Sequence, residues 1–480
     1  MNACKKIFFL TLGCKVNQYE TEAMQKLFEA AGWEVAEEIS EAQVVVVNTC
    51  TVTAVSSQKS RQMIRRAAAA TPVVSEKWLA IRDNDARNPN HQPLTTNHCR
   101  RHRVLAVVGC YAQSEPEEIS KIDGVDVIIG TKDRIRIVEL VEKAMRNAEC
   151  AMRNENAISN AECGMRNVKP LSFVGSVDDI REFEELPHSP HRTRAFLKIE
   201  DGCNNFCAYC IIPYVRGRIR SRNLESIRAE CLELKATGFK EIVLTGIHIG
   251  AYGRDFGNKI NLVDAIKTVL DAANPLRLRL GSIESAEMSD ELIDLIKNDS
   301  RICNHVHLPL QSGSDEILKA MRRPYTTKNF SELTARLVKE IPEISIGTDL
   351  IVGFPGETEE NFSETLEFIK AQPFSKIHVF PYSARLGTVA ATMPNQIPPQ
   401  IKKSRASQAL EISRAKAENF SKRLIGKTVE IIAETSTDGI VDGLTKNYVR
   451  VYAPDKNIPL GEVIKVKVEK IFKDGVYGSV

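Results

Sequence analysis

The chain has no apolar run approaching the roughly 18 residues that a membrane-spanning helix needs, so no membrane association is expected. It also lacks an excess of either charge. Sixty-five Lys and Arg stand against 62 Asp and Glu, a net +3 over 480 residues. That balance excludes a nucleic-acid binder held by bulk charge and leaves room for local basic patches. Twelve cysteines are too few for a disulfide scaffold. A secretory leader is not expected either, because the apolar stretch after Lys5-Lys6 covers only residues 7–12 and has no small-residue cleavage site. The expectation is a cytoplasmic protein, where disulfides are rare and grouped cysteines mean metal or redox chemistry.

What is present suits a large globular chain. Apolar residues make up 43%, and the length suggests about three domains. The fold class expected is α/β in three parts joined by a linker. Residues 1–142 alternate strand-length apolar runs (7–12, 44–47, 104–108) with helical patterns (19–31, 55–70), which argues for a parallel sheet covered by helices. Residues 71–103 are polar and read as a loop insertion. Residues 143–189 read as a low-complexity linker, with Met-Arg-Asn at 145, 152 and 165 and Asn-Ala-Glu-Cys at 147 and 160. Cys150 and Cys163 then belong to duplicated sequence rather than to a ligand set. Residues 190–420 hold six candidate βα units, with strands at 195–199, 241–245, 277–280, 305–308, 345–352 and 376–380. That pattern predicts a partial (β/α)6 barrel with its chemistry in the loops after the strands. A helical segment at 401–423 carries seven basic and two acidic residues. Residues 421–480 show short β-rich runs between turn residues and predict a small antiparallel barrel.

Two cysteine patterns stand out. Each N-terminal run ends in a cysteine: Gly13-Cys14, Asn48-Thr49-Cys50 and Gly109-Cys110. Carboxyl ends of strands in an open α/β sheet share one edge, where ligands bind. The three thiols can therefore converge across gaps of 36 and 60 residues, although cysteine also ends strands simply as a small hydrophobe. The second pattern is Cys203-x3-Cys207-x2-Cys210, directly after the first barrel strand. Zinc usually takes four ligands. No histidine follows closely, and Cys231 lies inside a predicted helix. Three thiolates on a four-iron cluster leave one iron open to a further ligand, so an iron–sulfur cluster is the favoured reading and zinc the alternative. Arg216, Arg218, Arg220 and Arg222 recur every second residue and would line one face of an extended segment, ready for phosphate or carboxylate.

The stretch Glu200-Asp-Gly-Cys-Asn-Asn-Phe-Cys-Ala-Tyr-Cys-Ile-Ile-Pro-Tyr-Val-Arg-Gly-Arg-Ile-Arg-Ser-Arg222 resembles the cluster loop of the radical S-adenosylmethionine methylthiotransferases. Thr11-Leu-Gly-Cys-Lys-Val-Asn-Gln-Tyr-Glu-Thr-Glu22, Asn48-Thr49-Cys50 and Gly109-Cys110-Tyr111 resemble that family's N-terminal domain, and residues 421–480 resemble its RNA-binding TRAM domain. The wording after Cys14 is similar to the branch acting on threonylcarbamoyladenosine in tRNA. Other branches act on isopentenyladenosine in tRNA or on a ribosomal-protein aspartate. Ala208 stands where threonine is usual.

The resemblance implies two 4Fe-4S clusters and S-adenosylmethionine. Cys203, Cys207 and Cys210 are implied to hold the cluster that binds S-adenosylmethionine and cleaves it to a radical able to take hydrogen from adenine C2. Cys14, Cys50 and Cys110 are implied to hold the second cluster, which carries the methylated sulfur. Tyr209, Gly246, Ser282, Glu284, Gly347 and Val379 are the expected cofactor contacts. The implied partners are tRNA, through the adenosine at position 37 of the anticodon loop, and a reducing electron donor such as flavodoxin or ferredoxin. A non-catalytic iron–sulfur or zinc RNA-binding protein is the alternative from another class. His305 and His307 are left unassigned.

Overall fold

The structure is a computed structural model that describes residues 5–70, 103–155, 169–188, 190, 192–257 and 259–480, with side chains from 148 to 155 excepted. The 71–103 insertion, apart from Arg103, and Cys4, Cys99 and Cys163 lie outside the described residues. Two compact units emerge, residues 1–179 with 184–189, and residues 180–183 with 190–480.

The first unit is built on a six-stranded, all-parallel sheet. Its spatial order is Trp33–Val35, Lys5–Thr11, Val44–Thr49, Val104–Gly109, Val127–Ile129 and Leu171–Phe173. The apolar runs are continuous because both faces are covered. Val44, Val46, Val104 and Ala106 enter one core with Met24 and Phe28, whereas Val45, Val47, Leu105 and Val107 enter the other with Ile64 and Ile119. The segment expected as a linker is partly regular. A helix runs Ile137–Glu155, and Leu171–Phe173 adds a parallel strand beside Val127–Ile129. Met, Ala, Arg and Glu are good helix formers, so the repeated pieces up to Glu155 extend the preceding helix rather than ending it, and the copies at 160 and 165 lie outside the described residues.

The second unit opens with six parallel strands: Ala195–Lys198, Glu241–Thr245, Arg277–Leu280, His305–His307, Ser345–Val352 and Lys376–Pro381. Each falls within a residue of its expected bounds. Two three-stranded sheets form the arc, joined by bridges Leu278↔Ile302 and Ser282↔His307. Helices such as Leu224–Ala236, Leu262–Ala273 and Thr327–Glu340 cover the outside. Several start where the sequence signals it. Thr358 caps Glu359–Ala371 through a reciprocal pair with Asn361.

The C-terminal sheet has six strands. Thr435–Thr437 and Ile440–Leu444 form a hairpin around Asp438-Gly439, a turn signal legible in the sequence. The sheet is antiparallel except where Arg450–Pro454 runs parallel to Gly475–Ser479. It curls on itself, since its two edge strands, Thr428–Ile432 and Thr435–Thr437, are consecutive in the chain and Gly443 packs against the Ile432 carbonyl.

Buried arginines hold this sheet to the barrel. Arg277 donates to the carbonyls of Leu444 (3.0 Å) and Glu430 (2.7 Å), and Arg279 to those of Lys446 and Thr445, both at 3.0 Å. Glu241 receives Arg279 at 2.8 Å. Burial opposes the ionised Glu241 carboxyl, but Arg279 and its neighbours hold it below its ordinary value. The same loop sets Tyr448, at φ +66°, between the His305 ring at 4.4 Å and the Arg279 guanidinium at 4.9 Å. A cavity of about 220 Å³ remains beside it, lined by His305, Gly347, Lys376, His378 and Tyr448 among others.

Among the described residues no helix is long and apolar enough to cross a membrane. Arg279→Ala leaves Glu241 short of its main partner and frees two buried carbonyls. It should cost about 3 kcal/mol in urea unfolding, while Arg301→Ala, a half-exposed pair with Asp299, should cost less than about 1 kcal/mol. Equal losses would count against the buried anchor.

Candidate active site

Strand register gathers the N-terminal cysteines. Thr11 pairs with Asn48, and Thr49 pairs with Gly109, so Cys50 and Cys110 leave adjacent strands at the same level. Leu12 N donates to Asn48 O at 2.9 Å, which brings Gly13-Cys14 to the same edge. Neighbouring strands lie about 4.8 Å apart, so all three cysteines occupy one short stretch of edge. Cys14 then caps Lys15–Ala30 and is exposed, while Cys50 and Cys110 are buried. Asn17 ties the edge together, donating to Leu12 O (3.1 Å) and Thr49 O (3.0 Å), and Asn48 returns a bond to Asn17 O at 2.9 Å. Gly109 is obligatory here. Its φ is +96°, and a Cβ would sit 2.4 Å from Asn48 Oδ1.

In the second unit the cysteine loop leaves the first barrel strand through the short pair Glu200–Asp201 and Arg220–Ser221. Gly202, at φ +86°, lets the chain pass Arg218 O, which a Cβ would meet at 2.0 Å. Cys203 N donates to Gly217 O and Cys210 N to Cys207 O, both at 3.0 Å. Ala208 is buried and clamped between the Met321 carbonyl (3.0 Å) and the Ala390 amide (2.8 Å). Burial pushes the Cys203 and Cys210 thiols up to about 12.

Two polar systems meet this loop. His248 Nδ1 lies 3.6 Å from Cys203 Sγ, and its Nε2 lies 2.8 Å from Glu287. Its backbone N–H donates to Glu200 Oε2 at 2.5 Å. Arg323 Nη1 donates to Cys207 Sγ at 3.2 Å, Nε donates to the Tyr325 hydroxyl at 3.0 Å, and Nη2 pairs with Glu284. Burial works against the guanidinium, yet the Glu284 carboxylate and the hydrogen-bonding groups around it outweigh burial and hold it charged. Burial also drives the Tyr209 hydroxyl and the Glu200 carboxyl well above their ordinary values.

Among the described residues no group of three His, Cys, Asp or Glu side chains stands ready to hold a single metal ion. A four-iron cluster asks for something wider, because each thiolate takes a different iron. Glu200 Oε1, Ser285 Oγ and Glu287 Oε2 are buried without a hydrogen-bond partner, all beyond the carboxyl ends of barrel strands. Buried polar atoms are nearly always satisfied, so three orphans beside the cysteine loop fit a polar ligand there. Soft thiolate donors and this polar surround suit an iron–sulfur centre with a bound polar cofactor.

The remaining expected residues are spread more widely. Glu284 joins the Arg323 system. Gly246 lies over Glu200, whose backbone oxygen a Cβ would meet at 2.9 Å. Ser282 bridges to His307. Gly347 lines the cavity beside Tyr448, and the Val379 side chain packs into the main barrel core.

The arginine stripe is overturned. Arg216 binds Asp201 at 3.1 Å, Arg220 lies 3.6 Å from Asp201, and Arg222 pairs with Glu230, all buried; Arg218 alone is exposed. A helical turn at Ile212–Arg216 breaks the extended alternation. The basic helix, Pro399–Lys422, is likewise partly committed to structure: Arg405 binds Glu357 at 2.6 Å, and Lys416 donates to two carbonyls at 2.5 Å. Sequence reading missed Arg323, His248 and Glu287. Only His248 had a signal, lying within the Gly246–Gly250 loop.

Comparison with known proteins agrees with this architecture. The family described as "Radical SAM superfamily" matches residues 197–369, and "Uncharacterized protein family UPF0004" matches residues 6–130. The chain is 39% identical, over 97% of its length and 94% of the relative, to the threonylcarbamoyladenosine tRNA methylthiotransferase MtaB of Bacillus subtilis. It is 32% identical, over 99% of both chains, to the tRNA-2-methylthio-N(6)-dimethylallyladenosine synthase of Rickettsia rickettsii. Among solved structures, the radical S-adenosylmethionine methyltransferase TsrM of Kitasatospora setae shares the fold, with TM-score 0.52 and 18% identity over 81% of this chain and 77% of that one. Near full-length similarity on both sides, with the cysteine loop at the mouth of the barrel, shows that the chain belongs to the radical S-adenosylmethionine tRNA methylthiotransferases and is an enzyme of that family.

Proposed function

We propose that the enzyme methylthiolates C2 of N6-threonylcarbamoyladenosine at position 37 of tRNA, giving the 2-methylthio derivative. The observation that carries this reading is the pair of cysteine trios, each set by strand ends or loop, with the second flanked by orphaned polar atoms. Cys203, Cys207 and Cys210 would hold one 4Fe-4S cluster, and Cys14, Cys50 and Cys110 the other. When bound, these clusters and S-adenosylmethionine supply the radical hydrogen abstraction and the methylated sulfur that acid–base side chains cannot provide. The protein's own residues bind and orient. Glu284 is fixed by Arg323 where the third strand ends, Gly246 allows close backbone approach beside Glu200, and Tyr209 borders the loop. Electrons would come from a low-potential donor such as flavodoxin or ferredoxin in the cytoplasm.

A division of labour follows, with the first unit, into which the expected 143–189 connector largely folds, holding the sulfur-side cluster, 190–420 forming the radical core and 421–480 gripping RNA. The outer face of the C-terminal sheet supports the last assignment. Lys465, Lys467 and Lys470 are exposed, while Val466 and Val468 are buried. Tyr452, Phe472 and Tyr477 cluster at 5.3 and 5.5 Å, with Lys470 and Lys473 over their rings. Cations for phosphate beside aromatic platforms for splayed bases suit an anticodon loop. The threonylcarbamoyl branch is favoured over the dimethylallyl branch by Lys15-Val16-Asn17-Gln18 and by the 39% relative.

Reconstituted anaerobically, the chain should hold about eight irons. Combined Cys14→Ala, Cys50→Ala and Cys110→Ala changes should halve that, and full retention would refute the second centre. Threonylcarbamoylated tRNA, incubated with enzyme, S-adenosylmethionine and reductant, should gain a methylthio mass, whereas isopentenylated tRNA should not. Reversal of that preference would assign the other branch. Joint Lys465→Ala, Lys467→Ala and Lys470→Ala changes should weaken tRNA binding and flatten its log-affinity against log-salt slope by about 2. An unchanged slope would clear this face of a role.

A further inference from the structure

We propose that Arg323 is a positioning residue whose guanidinium is aimed at Cys207 Sγ and raises the reduction potential of the iron–sulfur centre on the barrel loop. The inference rests on the reading that Cys203, Cys207 and Cys210 carry a cluster, and it adds what the surrounding protein does to that cluster.

The argument begins with the burial of an arginine. The Arg323 side chain is 1% exposed, and a guanidinium taken from water must be fully partnered. Its donors are spent in three directions, on Glu284, the Tyr325 hydroxyl and Cys207 Sγ at 3.2 Å. Tyr325 is itself fixed by the carbonyls of Pro309 (2.8 Å) and Leu310 (2.9 Å), and the guanidinium lies 4.9 Å over its ring. A planar fork anchored at two edges has no freedom left at the third, so Nη1 is aimed permanently at sulfur. A thiol is a weak acceptor, while a thiolate accepts a charge-assisted bond. The fork is therefore placed to donate to the sulfur of a cluster-bound Cys207.

The consequence for the cluster is electrostatic. Hydrogen bonds to cluster sulfurs and nearby charge set its potential. An N–H bond from a fixed cation withdraws charge from Cys207 and stabilises the added electron of the reduced centre. Cys203 has a different neighbour, the His248 ring at 3.6 Å, whose other nitrogen is held by Glu287. In the redox event one electron enters from a low-potential one-electron donor, no bond forms or breaks in the protein, and Arg323 keeps its protons.

The test isolates the loop centre in the full chain carrying Cys14→Ala, Cys50→Ala and Cys110→Ala. This parent, Arg323→Gln and Arg323→Met are reconstituted and titrated with dithionite and mediators, without S-adenosylmethionine, by electron paramagnetic resonance. Iron should stay near four per chain. At a fixed potential the reduced-to-oxidised ratio should fall at least tenfold in both variants, about 59 mV for a one-electron couple. Potentials equal to the parent's would overturn the proposal. So would failure of both variants to load iron where the parent loads, because a residue that tunes a centre leaves it in place. A parent that itself binds no iron would remove the cluster reading, and the proposal with it.

Discussion

Register between parallel strands is the constraint on which the first candidate centre depends. Parallel hydrogen bonding fixes which residue lies beside which, and a slip of one residue would turn every side chain to the opposite face. In the N-terminal sheet such a slip would exchange two cores, moving Val44 and Val46 into the set that holds Val45 and Val47. Hydrophobic burial on both faces therefore enforces the pairing Thr11↔Asn48 and Thr49↔Gly109. The cysteines follow as a by-product, because each comes just after a strand whose level is already set. Asn17 and Asn48 then close the edge with polar bonds that leave no room for a side chain at Gly109.

The barrel solves a related problem differently. Its cysteines share one loop, so spacing gathers them and the fold has only to present the loop at the strand ends. Presentation relies on buried charge. Asp201 draws in Arg216 and Lys198 beneath the loop, and Glu284 holds Arg323 against Cys207. Such pairs add little net stability compared with apolar packing, since desolvation offsets attraction. What they give is orientation. A guanidinium bonded on several edges permits one arrangement of the backbone around it, and a loop of thiols proposed to meet several iron atoms needs that definition.

This contrast explains what could be read from the sequence. Strands such as Val44–Thr49 and Val104–Gly109 were legible because continuous valine-rich runs ending at turn residues have few other solutions. The six cysteines proposed as ligands were legible as a strand-end pattern and a tight spacing. Three-residue strands such as Leu171–Phe173 were not, because their pairing comes from the sheet and not from their own composition. The arginine stripe misled for a definite reason. Alternation signals a solvated face only in an extended chain, and Gly217 together with the turn Ile212–Arg216 bends this segment so that Arg216, Arg220 and Arg222 point into carboxylates. Arg323 left no trace, because its role comes from Glu284 and Cys207, which are 39 and 116 residues away in sequence.

The residues that mark the branch of the family carry their information indirectly. Val16 is 1% exposed and packed in the core, and Asn17 is spent on the backbone of Leu12 and Thr49. Neither side chain is available to touch an N6 substituent on adenine. Discrimination between a polar, carboxylate-bearing substituent and an apolar one needs exposed groups that pair with the first or exclude the second. A site that hydrogen-bonds its substrate rejects an analogue lacking the partner far more strongly than an apolar pocket rejects an extra group. The determinants of substrate choice therefore lie outside Val16 and Asn17, among side chains that reach solvent, the half-buried Lys15 and Gln18 of the same motif included.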